Sequence, residues 1–223
     1  MLNAFLMTLL LNAAPAQAGA GEYTAVISAL QGTVTVESPS KSSLRKAASL
    51  RMGLRAKDIV RTGADGHAEI SLSDAGLVEL QPNAALVISS LDRSDATFQL
   101  RVGALLSKLR SLGKGRRLRV RTPRAVASVR GTEFGVQAST DDASAVFAVF
   151  DEGRVEVSSD NGSSVMLEPN QETEVSGSAA PATPHQIQQF LFAQQRMRIL
   201  RERMRYFDGK WHKKYGIPSK KNE

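Results

Sequence analysis

The residues whose types and spacing could do chemistry cluster in TPRAVASVRGTEFGV, positions 122 to 136, around Arg130-Gly131-Thr132-Glu133-Phe134. A guanidinium offers five N–H donors in a planar fork that matches a carboxylate or phosphate, and a carboxylate accepts the same geometry. Here the two charges interrupt an alternating apolar run that otherwise reads as a β-strand. Glycine inside a strand points to a bulge or a close backbone approach. A bulge at Gly131 would shift the alternation so that Arg130 and Glu133 reach one surface and pair. Thr132 would then bond backbone across the bulge, and Phe134 would anchor the next stretch in the core. Two roles stay open for this segment: a corner that stabilises the fold, and a contact for a partner.

Cations crowd the approach to it. Residues 101 to 130 hold ten Lys or Arg and no acid. Arg116, Arg117, Arg119, Arg121 and Arg124 form a candidate ridge for an anionic partner, such as an acidic protein, a lipid headgroup or an envelope polymer; the same spacing also suits a solvated hairpin face. The ridge has almost no aromatic residue on which bases could stack, so nucleic acid is not expected. From His185 to Glu223 there are ten bases against three acids, which accounts for the whole net charge of +7. The first 184 residues are therefore neutral in sum, with a basic region and a compensating acidic one.

Other chemistries lack their residues. There is no Cys, which excludes disulfides and thiolate sites. The three histidines, His67, His185 and His212, stand far apart, without metal-ligand spacing or a nucleophile motif beside them. Ser38-x-x-Lys41 and Ser111-x-x-Lys114 match a serine–lysine pattern without its companion motifs. Asp141-Asp142 and Asp160-Asn161 lack the rest of a calcium loop, and no phosphate loop occurs. The reading is a non-enzyme with no metal and no cofactor.

The elements that must position these residues are short. From residue 22 to 176 runs of five or six alternating residues are separated by turn pairs such as Asp65-Gly66, Glu152-Gly153 and Asn161-Gly162. That pattern predicts an all-β fold, a stack of short antiparallel hairpins arranged as a β-solenoid-like roll or a sandwich. Residues 177–183 read as a linker by composition. Thr183-Pro184 then reads as a helix start, and residues 184–208 as a basic amphipathic helix. Its apolar stripe is Ile187, Phe190, Leu191, Met197, Leu200, Met204 and Phe207, which suits docking on the parent domain, a partner interface or an anionic membrane surface. Residues 209–223 read as a flexible basic tail. At the other end, an apolar stretch over residues 4–11 and Ala16-Gln17-Ala18 predict a signal peptide over 1–18, cleaved after Ala18, and hence a periplasmic or otherwise exported protein.

The Thr-Pro pair, the small apolar residues and Arg130-Gly131-Thr132-Glu133-Phe134 resemble the signature strand of the FecR-like domain. Gly32-Thr33-Val34-Thr35-Val36, Ile59-Val60-Arg61-Thr62-Gly63, Ala68 to Leu72, Glu79 to Ala84 and Phe147 to Val157 resemble its other elements, so the likeness spans roughly residues 25 to 176. The resemblance implies a protein-interaction or envelope module with an envelope protein as partner. FecR-like regulators couple such a domain to a cytoplasmic anti-sigma segment and a spanning helix. Neither has a counterpart in this sequence, so the expectation is the stand-alone secreted type, with a scaffolding or accessory signalling role. The alternative is a binder of anionic polymer or membrane through its two basic regions. Oligomeric state is not read from the sequence.

Overall fold

The computed structural model describes residues 21–39, 42–141 and 143–215, the side chains at 42, 43 and 206–215 excepted. The expected signal peptide, the last part of the tail, Lys41 and Asp142 lie outside the described residues. So do the side chains of Phe207 and His212.

The strands are β1 (Ala25–Gln31), β2 (Val34–Ser38), β3 (Ser42–Ala47), β4 (Gly53–Leu54), β5 (Ile59–Thr62), β6 (His67–Leu72), β7 (Gly76–Leu80), β8 (Ala85–Ser90) and β9 (Ala96–Leu109). They continue as β10 (Leu118–Arg121), β11 (Ala125–Val129), β12 (Glu133–Ala138), β13 (Ser144–Val149), β14 (Val155–Ser159), β15 (Ser164–Leu167), β16 (Gln171–Ser176) and β17 (His185–Gln186). A single helix among the described residues, α1 (Ala193–Tyr215), follows. The chain is all-β with a C-terminal helix, as its alternation predicts.

Pairing sorts the strands into two layers. One runs β3-β2-β5-β8-β9-β10-β11-β14-β15, the other β4-β1-β6-β7-β9-β12-β13-β16-β17. The long β9 belongs to both and joins them into one sheet system. It crosses at Gly103, where φ is +86° and an added Cβ would stand 2.5 Å from Ala84 Cα, leaving no room for a side chain. Every pairing is antiparallel except β9 with β10. The chain alternates hairpin by hairpin between the layers, so solenoid-like winding and sandwich packing coexist. Inward residues such as Ile27, Ile70, Leu86, Phe98, Leu105, Val120, Phe134 and Phe147 form one core between the layers.

The second layer would leave apolar side chains on its outer face. Leu77, Leu106, Val146, Ala148 and Phe150 instead meet Ile187, Phe190, Ala193, Met197, Leu200 and Met204 in a second apolar cluster. The C-terminal segment is thus part of the folded domain, covering the outer face of its own sheet.

Three expectations about that segment are corrected. The linker is structured: Pro181 is buried, the Ala182 N–H donates to Glu174 O at 2.9 Å, and Thr173 Oγ1 donates to Ala182 O at 2.7 Å. The helix begins at Ala193, nine residues after Pro184, because His185 and Gln186 pair with β16 and the Glu172 carboxylate captures the Gln189 N–H at 3.0 Å. It also continues through Asp208-Gly209 to Tyr215. Leu191 leaves the apolar stripe and is 58% exposed, since it lies in the turn before α1, where helical spacing does not apply.

Candidate functional site

The segment Arg130 to Phe134 is a corner between layers rather than a bulged strand. β11 ends at Val129 in the first layer and β12 begins at Glu133 in the second. Gly131 makes the turn at φ +131°, and an added Cβ would stand 2.6 Å from Ser111 Cα and 2.8 Å from Arg110 C. The Thr132 hydroxyl is buried and donates to Glu152 O. Beneath it, Gly153 has φ +83°, and its Cβ would stand 2.5 Å from Thr132 Oγ1. The Phe134 ring fills the core at 1% exposure.

Glu133 does not pair with Arg130. The Glu133 carboxylate faces outward from the second layer beneath α1, accepting from Lys108 Nζ at 2.8 Å and from Arg201 Nε at 2.8 Å, with a second Arg201 N–H. Burial pushes this carboxyl up, but the hydrogen bonds from Arg201 and Lys108 outweigh it and hold it below the usual carboxylate range. Gly131, Thr132, Glu133 and Phe134 therefore each have a structural task. Arg130 is exposed and makes no hydrogen bond or ion pair through its side chain among the described residues.

Register explains what surrounds it. Leu118, Val129, Val155 and Leu167 stand in line across β10, β11, β14 and β15, all pointing inward. One residue further on, the chain neighbours Arg117, Arg130, Arg154 and Glu168 form an outward row. One residue back, Arg119, Ser128, Glu156 and Met166 form a second outward row. Apart from Arg119, these rows line a cleft of about 740 Å³ on the first layer's outer face. In the first row the outer arginines are paired, Arg117 with Asp95 at 3.2 Å and Arg154 with Glu168 at 2.8 Å. The middle one, Arg130, is not.

The family model described as FecR protein matches residues 58–156, which include both rows except Met166 and Glu168. Over those residues the chain is similar to the FecR domain. Two crystal structures of a candidate anti-sigma factor from Parabacteroides distasonis ATCC 8503 share its fold, each with TM-score 0.53 and 19% identity over 60% of this chain. The similarity spans 62% of that protein, less than two thirds of its length. The comparison with curated proteins gives no match.

The fold does not assemble the five-arginine ridge as one surface. Arg119 and Arg121 share the outer face of β10, and Arg119 and Arg117 both pair with Asp95. Arg116 turns to Asp74 at 3.5 Å. Arg124 sits in the β10–β11 turn with its Nε buried and lacking a hydrogen-bond partner. The row of Arg117, Arg130 and Arg154 was not legible in the sequence, because it depends on which strand ends lie side by side.

A second feature was also missed. The outer face of the second layer carries four glutamates under the C-terminal segment: Glu69, Glu79 and Glu133 at 2% exposure and Glu172 at 0%. Glu69 and Glu79 stand directly opposite each other across β6 and β7, an arrangement that repels unless cations intervene. α1 supplies them. Arg196 Nε donates to Glu79 at 2.9 Å, Arg203 Nε lies 3.2 Å from Glu69, and Arg201 bridges Glu133 and Asp151. Glu69 also accepts from Ser28 Oγ at 2.7 Å. Burial is the largest influence on Glu69 and pushes its carboxyl up. Arg196, Arg201 and Arg203, which read in sequence as part of a basic helix surface, are counterions to the domain's own buried acids. No helix among the described residues is long and apolar enough to cross a membrane.

Proposed function

We propose that this protein is an exported, non-enzymatic FecR-domain module of the cell envelope, which engages a protein partner in a scaffolding or accessory signalling role. Its contact site is the corner between β11 and β12. The observation that carries this reading is Arg130. Every other residue from 131 to 134 holds the fold, while Arg130 is exposed, unpaired among the described residues, and centred in a cleft. Arginine is enriched among the residues that dominate protein interfaces. Export is supported by the leader-like pattern in residues 1–18. Fold similarity to a candidate anti-sigma factor is compatible with a signalling role.

The alternative, an anionic polymer or membrane as ligand, loses much of its basis. Arg117 and Arg119 share Asp95, and Arg196, Arg201 and Arg203 face buried glutamates. The test is in-cell photo-crosslinking with the reactive residue placed at Ser128, which lines the cleft and leaves Arg130 in place, and separately at Arg198 on the exposed side of α1. The reading expects one dominant protein adduct at 128 and none at 198. Adducts with lipid or sacculus fragments alone, or equal capture from both positions, would contradict it.

A further inference from the structure

The cleft also indicates what part of a partner it receives. We infer that it takes an extended protein segment carrying one acidic side chain and, three or four residues away, an apolar one. This rests on the reading of the Arg130 corner as a protein-contact site.

The acid follows from the arginine row. Strands lie ~4.8 Å apart, so Arg117, Arg130 and Arg154 present their stems within about 10 Å of one another. The flanking pair has carboxylates already, in Asp95 and Glu168. A carboxylate arriving at the middle position meets the unpaired Arg130 fork, which it can engage with two parallel hydrogen bonds, and it feels two further cations at the flanks.

The number of acids follows from the remaining lining. Glu156 is exposed in the second row and makes no ion pair among the described residues. Glu168 closes the first row. The cleft lining sets three arginines against two carboxylates, and Asp95 beside it is shared by Arg117 and Arg119, so one cation is in excess. One further carboxylate placed at Arg130 is favourable. A run of them would be repelled by Glu156 and Glu168. This balance selects against a polyanion, whether a phospholipid surface or an acidic polymer, and for a segment with a single acid.

The apolar residue follows from Met166. It is 49% exposed, stands beside Glu156, and lines the same cleft. Methionine in an exposed recognition surface adapts to varied apolar side chains. From Arg130 it is two strands across and two residues along, about 12 Å between backbones. In an extended chain rising ~3.4 Å per residue, three or four positions cover that span.

The test uses a random nonapeptide display library as probe, panned against the full mature chain. Wild type should enrich peptides with one Asp or Glu and an aliphatic residue three or four positions away. A selected peptide should bind Arg130→Glu at least about tenfold more weakly, the scale of one charge-assisted bidentate contact. Arg130→Lys, which keeps the charge and loses the fork, should fall between. Amide shifts on titrating that peptide should centre on residues 128–131, 154–156 and 166. Enrichment of acidic runs, of peptides without an acid, or of nothing above the input library would overturn the inference. So would equal affinity for Arg130→Glu. A protein adduct at position 128 from a partner lacking such a segment would overturn this inference alone and leave the protein-contact reading in place.

Discussion

Replacing Glu133 by Gln keeps the shape of the side chain and removes its charge. The structure sets the size of the effect. Glu133 is 2% exposed and accepts from Lys108 and twice from Arg201. Hydrogen bonds to a charged group contribute roughly 1.5–3 kcal/mol against 0.5–1.5 for neutral ones, so converting two or three of them loses about 2–3 kcal/mol. Arg201 is 30% exposed on its side chain and Lys108 17%, so both cations recover some hydration, and about 2 kcal/mol is the expected loss. In a domain of this size that lowers Tm by roughly 4–8 °C, read by circular dichroism at neutral pH. The denaturant midpoint should fall with an unchanged slope. Acid supplies the internal control. Because the folded-state carboxyl is held below its ordinary value, its stabilisation is complete above the unfolded pKa and is lost as pH falls through the folded one. The gap between wild type and Glu133→Gln should therefore close in strong acid. A loss below about 0.5 kcal/mol, or one that adds fully to that of Arg201→Met, would refute the coupling between corner and helix.

Four further outcomes follow from the same geometry. Gly131→Ala places a Cβ against the Arg110–Ser111 backbone at φ +131°, and strain plus overpacking should cost about 2–4 kcal/mol by denaturant titration. Gly135→Ala meets the Phe190 ring first, 2.6 Å from Cε1, so its cost should be smaller and should be relieved in Gly135→Ala with Phe190→Leu. Glu69→Gln should show the opposite pH behaviour to Glu133→Gln: the raised carboxyl favours folding most below its unfolded pKa and loses that contribution as pH rises through the folded one, so the variant gains on wild type toward neutral pH. Leu200→Ala, fully buried between α1 and the second layer, should cost about 2–4 kcal/mol by the same titration; a cost near zero would mean the helix is not docked.

Alternation and turn pairs made the strands readable, since each hairpin writes its own period of two. The site was readable only in part. Gly131 and Phe134 declared a close approach and a core anchor through their types alone. The partner of Glu133 was not legible, because Arg201 lies 68 residues away on an element that folds back over the sheet. Nor was the company of Arg130, for Arg154 reaches it only through the pairing of β11 with β14. Helical spacing across residues 187–191 misled because edge pairing by His185–Gln186 and the captured Gln189 amide outweigh a proline start signal.

The central claim is that Arg130 is free for a partner while its neighbours hold the fold. The most direct test places a photo-crosslinking residue at Ser128, which lines the same cleft, and compares in-cell adducts with Arg130 intact and with Arg130→Glu, alongside the Tm of each. The account predicts a single protein adduct that disappears in Arg130→Glu while Tm stays within about 2 °C, as for a surface change remote from packing. Persistence of the adduct, or its loss together with a large fall in Tm, would contradict it.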